Sequence, residues 1–149
     1  MRTLKFIFLI GILGISMSSF SSEEENSIEL TSPLGFKIAN SQMELMSILN
    51  ENSPIEIKSL KSISFIENKN FNAAEVVVKL IDDKIQVYII GKGKIQSNTN
   101  TFSFGKTIVY SCDGCSDCRV SGTIEEGVLT VGCTQTCCTL HSSEQPISI

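Results

Sequence analysis

The residues with chemistry to offer are the six cysteines: Cys112, Cys115 and Cys118 are each separated by two residues, and Cys133, Cys137 and Cys138 follow after a gap. All six fall inside 27 of the 149 residues, so this segment needs a crosslink that the rest of the chain does without. Six thiols exported to an oxidising compartment can close as three disulfides, in several alternative connectivities. The alternative is a metal site, in which Cys112, Cys115, Cys118, Cys133, Cys137, Cys138 and the only histidine, His141, are the candidate ligands of a zinc ion. Disulfides are the primary expectation, because thiolates outside the cytoplasm compete with oxidation; in that reading there is no cofactor.

Cys115-x-x-Cys118, then 14 residues, then Cys133-x-x-x-Cys137 resembles a zinc ribbon whose second knuckle is widened by one residue. Cys112-x-x-Cys115-x-x-Cys118 resembles part of a bacterial ferredoxin run, but the fourth cysteine and its proline are absent. Both likenesses are short and depart from pattern, so no family is identified. Thiol–disulfide catalysis fits poorly too. Asp113 and Asp117 sit between the cysteines, only Arg119 opposes them, and strands rather than a helix N-terminus follow. With one histidine, any serine or cysteine triad depends on His141, and no catalytic constellation is expected. Met43 and Met46 read as core, not as copper ligands. Gly91-Lys92-Gly93-Lys94 lacks the spacing and the following helix of a phosphate loop and reads as a strand-ending loop.

Several elements must position the cysteines. Between Cys118 and Cys133, Arg119 to Ile124 and Val128 to Cys133 read as a hairpin around Glu126-Gly127. A two-residue turn sets Ile124 against Leu129, Gly122 against Val131 and Val120 against Cys133, one apolar face; a slip by one residue would scatter it. In that register Cys118 and Cys133 are diagonal, about 7 to 8 Å apart, too far for an undistorted bridge. Vicinal Cys137 and Cys138 should go to different partners.

Upstream, Ser41-Gln42-Met43-Glu44 is a capping box that predicts a helix ending over 50–54. Ser32-Pro33-Leu34-Gly35 predicts a turn before it. Alternation from Ile55 to Phe65, a turn at 68–70, and β-branched runs at 74–81 and 85–90 around Asp82-Asp83-Lys84 predict an antiparallel meander, with 107–110 leading into Cys112. The run at 74–81, apolar at both parities, reads as a central strand. The fold class is α+β: one N-terminal helix packed on an antiparallel β-meander of about four strands, followed by a small Cys-rich β-hairpin module.

Residues 1–21 read as a secretory signal, with Arg2 and Lys5 ahead of an apolar run and Ser19-Phe20-Ser21 at its end. The run is too short and too quickly interrupted by serines for a lasting membrane anchor. After it, 22–27 is an acidic flexible tail, 28–111 the α+β body, 112–141 the cysteine module and 142–149 a flexible C-terminal tail. Arg2 and Lys5 leave with the signal but no acidic residue does, so 10 basic residues face 16 acidic ones, a formal charge of −6. That sign argues against nucleic acid and anionic membrane surfaces as partners. A secreted or periplasmic, non-catalytic binding or structural protein is expected, its partner unknown.

Overall fold

The computed structural model describes residues 28–97, 102–103 and 106–145. The signal expected over 1–21, the acidic tail over 22–27 and residues 146–149 lie outside that set.

Among the described residues the one α-helix, α1 (Gln42–Asn50), starts where the capping pattern puts it. The Ser41 hydroxyl accepts from the Glu44 amide at 3.1 Å, satisfying one of the orphan donors of the first turn. Glu44 does not reach back to Ser41; its Oε1 accepts from the backbone and side-chain nitrogens of Asn40 at 3.2 and 3.1 Å. The expected N-terminal helix is corrected in position, because an extended segment precedes it. There Thr31 bridges Lys37 around a turn in which the Gly35 amide donates to the Ser32 carbonyl at 3.0 Å. The positive φ of Gly35, +94°, lets that turn close.

After α1 come β1 (Ile57–Glu67), β2 (Phe71–Leu80), β3 (Ile85–Gly93), β4 (Ile95–Ser97), β5 (Phe102–Ser103), β6 (Thr107–Asp113), β7 (Val120–Glu125), β8 (Val128–Cys133) and β9 (Thr139–Gln145). β1, β2 and β3 form the expected meander. Asn68 Oδ1 holds its first turn by accepting from the amides of Asn70 and Phe71 at 2.7 and 3.0 Å. β6 and then β9 extend it to a five-stranded antiparallel sheet, β1-β2-β3-β6-β9. A second sheet, β5-β4-β8-β7, contains a parallel pair, β4 with β8. The chain is therefore richer in strands than the expected meander and hairpin.

β2 explains the layering. Ala74, Val76, Val78 and Leu80 share one face and join Ile38, Leu45, Leu49, Tyr88, Ile90 and Val109 in one buried cluster. Phe71 and Ala73 face the other way and join Val87, Ile89, Ile95, Tyr110, Leu129 and Val131 in a second. A strand apolar at both parities has both faces covered, here by α1 on one side and the small sheet on the other.

Gly91 and Gly93 mark the corner where the chain changes sheet. A side chain on Gly93 (φ +109°) would put its Cβ 2.6 Å from the Asn70 carbonyl oxygen, and one on Gly91 would collide with Ile95. This is a strand end and a sheet switch.

Two expected boundaries do not coincide with the architecture. β7 and β8 share a sheet with β4 and β5, so the cysteine segment 112–141 is woven into the body. Ser142 to Gln145, expected in a flexible tail, pair with Thr107 to Tyr110 as part of β9. Backbone pairing with β6 orders this polar strand even though Leu140 is its only apolar side chain.

Candidate functional site

The hairpin carrying the cysteines has the register the side chains require. Glu126 and Gly127, with φ of +54° and +79°, form a two-residue turn, and Ile124 pairs with Leu129, Gly122 with Val131 and Val120 with Cys133. Gly122 is needed because Leu129 Cδ1 lies 2.9 Å from where its Cβ would be. Beyond the hairpin the Thr134 amide donates to the Arg119 carbonyl at 2.9 Å, and the Arg119 amide donates to Thr134 Oγ1 at 3.2 Å. These contacts bring the β6–β7 and β8–β9 connections side by side. Gly114, with φ +133°, sits against the second connection, its missing Cβ 2.8 Å from the Cys137 carbonyl oxygen.

Three disulfides crosslink this region: Cys112 to Cys133 between the strands that lead into the two connections, and Cys115 to Cys137 and Cys118 to Cys138 between the connections themselves, with Cα separations of 5.8, 6.0 and 5.7 Å. All lie within the usual span for a bridge. Cys112 is on β6 of the main sheet and Cys133 ends β8 of the small one, so the first disulfide links the two layers. Cys118 and Cys133, the diagonal pair, are not bonded to one another, and vicinal Cys137 and Cys138 do take different partners. Cys112 and Cys118 are buried in the second core cluster, Cys115, Cys133 and Cys138 pack against it, and Cys137 is exposed.

Two bridges crowd together. Cys115 Sγ lies 3.5 Å from Cys118 Sγ and 3.5 Å from Cys138 Sγ, although it is bonded to neither. The Cys115 amide also donates to Cys118 Sγ at 3.3 Å. Of the seven candidate metal ligands, only Cys115, Cys118 and Cys138 come together, their sulfurs all within 4.8 Å of one another. Cys112, Cys133, Cys137 and His141 are not part of that group among the described residues.

His141 has another role. It stands opposite Ser111 in β9, diagonal to Asp113, and its Nε2 lies 2.8 Å from Asp113 Oδ1. A carboxylate only accepts, so Nε2 carries the proton in this bond. The pair borders a cleft of about 280 Å³ lined also by Asn52, Ser53, Gln86 and Ser111. Beside this cleft the Tyr88 hydroxyl donates to the Asn52 carbonyl at 3.5 Å. Burial pushes the Tyr88 pKa up, against a lowering hydrogen bond from Ser53.

A second cleft, of about 270 Å³, runs between the turn 112–119 and the β2–β3 connection, where Leu80, Lys84, Ile85 and Gln86 face Cys115, Asp117 and Arg119. No local pattern announces this cleft, because its two walls are some 30 positions apart and meet only once β6 pairs with β3. Among the described residues no helix is long and apolar enough to cross a membrane. Compared with protein families, with curated proteins and with solved structures, the chain matches none.

Proposed function

We propose that this chain is an exported, non-catalytic binding or structural protein whose cysteine region presents a covalently fixed surface. The observation that carries the reading is the set of three disulfides, two joining adjacent connections and one spanning both sheets. In a small exported domain such bridges supply stability that short strands cannot obtain by burial. The binding face in this reading is the cleft beside the turn 112–119, with Lys84 and Arg119 set against Asp113 and Asp117. The apolar start of the sequence supports export, and the acidic balance supports a partner other than nucleic acid.

Mass spectrometry of the native exported protein tests this. The expected mass corresponds to the chain without its signal and lacking six hydrogens. Stepwise partial reduction, with each newly freed pair alkylated by a different reagent and the labelled positions read by peptide fragmentation that resolves adjacent Cys137 and Cys138, should then assign the bridges as 112–133, 115–137 and 118–138. Six alkylatable thiols, or a retained signal, would overturn the reading.

A second reading is metal binding through the reduced cysteines, zinc being the ion their chemistry suits. The grouping of Cys115, Cys118 and Cys138 favours it.

A further inference from the structure

We propose that reduction of the two neighbouring bridges turns the turn 115–118 and Cys138 into a zinc site with three defined thiolate ligands, while Cys112–Cys133 remains outside it as the link between layers. This rests on the metal-binding reading and narrows its seven candidates to three. Tetrahedral zinc with Zn–S bonds of about 2.3 Å places its sulfurs about 3.8 Å apart. Two of the three sulfur–sulfur edges here, Cys115 to Cys118 and Cys115 to Cys138, already measure 3.5 Å. Only the Cys118–Cys138 edge has to lengthen, and it does so when its bond breaks. The backbone already supports the arrangement, since the Cys115 amide donates to Cys118 Sγ and would stabilise a thiolate there.

The chemistry balances with an external thiol or phosphine reductant. Each bridge takes up two electrons and two protons and its S–S bond breaks to two thiols: two molecules of an external thiol supply them and become a disulfide, or one phosphine with one water supplies them, the water's oxygen leaving as phosphine oxide. The Cys115–Cys137 bridge opens first because Cys137 is exposed. The Cys118–Cys138 bridge is better covered by the core. Zinc then displaces one proton from each ligand thiol. The fourth position falls to Cys137, freed beside Cys138, or to water. His141 is held on Asp113 and is not needed.

The test uses the full chain without its signal, reduced anaerobically with a phosphine and titrated with zinc against a chromogenic chelator, with cobalt as a spectroscopic probe. One ion should bind per chain, and cobalt should show intense thiolate charge-transfer absorption. Cys115→Ser and Cys118→Ser should each weaken binding by more than the roughly 10- to 100-fold expected for loss of an outer partner. His141→Ala, and Cys112→Ser combined with Cys133→Ser, should retain it. Serine is nearly isosteric with a free thiol, so these comparisons within the reduced state do not depend on a lost disulfide. Absence of the cobalt band, or equal weakening by all these cysteine substitutions, overturns the proposal. Either result leaves the oxidised connectivity, read separately by mass, untouched.

Discussion

On one face of the main sheet, Leu45 and Leu49 of α1 sit with Ile38, Val76, Val78, Tyr88 and Ile90 in a core that contains no cysteine. On the other, strands of two to six residues and two long turns cover Phe71, Val87, Ile89 and Tyr110; five of the six cysteines pack there, and exposed Cys137 is bonded to one of them. The first cover is a helix with a continuous apolar stripe, which burial alone can hold. The second is made of pieces too short to bury enough surface for the entropy of ordering them, and covalent links offset the difference by restricting the unfolded chain.

The contrast can be broken most severely from the helix side. Leu49 is wholly buried, and Leu49→Ala should cost about 2–5 kcal/mol in denaturant melts whether or not a reductant is present. A loss confined to the oxidised protein would mean that the two faces are not held independently. Replacing Cys112 and Cys133 together by serine should cost about 2–4 kcal/mol, seen only under oxidising conditions.

At the corner between the sheets, Gly93→Ala adds a backbone clash with Asn70 to the strain of a positive φ, and should cost about 1–3 kcal/mol in a thermal melt. Gly35→Ala, with nothing within 4 Å of the new methyl, should cost less. The reverse order would place the strain in the wrong turn. Ser41→Ala should lower stability by about 1 kcal/mol through loss of the helix cap, without changing the protection of β7 and β8.

The smallest effect is one of pH. Because the Tyr88 pKa is raised in the folded chain by burial, its stabilisation is fully present below the ordinary tyrosine value. It is lost as pH rises through the folded one. Tyr88→Phe should flatten the alkaline limb of a stability profile and leave neutral pH less affected.

Local signals were legible in the sequence. Ser41 starts the helix, Asn68 sets a turn, and the faces of Val120 to Cys133 fix the hairpin register, because each depends on residues a few positions apart. Long-range pairing was not. β4 offers only Ile95 as an apolar anchor and β9 only Leu140, so both read as loop or tail, and their order comes from ladder bonds to β8 and β6. The three-sulfur group was hidden for the same reason. Spacing nominates seven ligands, and only the approach of two connections selects three of them.

Hydrogen exchange on the oxidised and the phosphine-reduced protein, free of zinc, compares the two faces most directly. Reduction should strip protection from β7, β8 and the turn 112–119 while α1, β1 and β2 stay protected. Uniform loss over both faces, or a small sheet that stays protected with every thiol free, would contradict the division between burial on one side and sulfur linkage on the other.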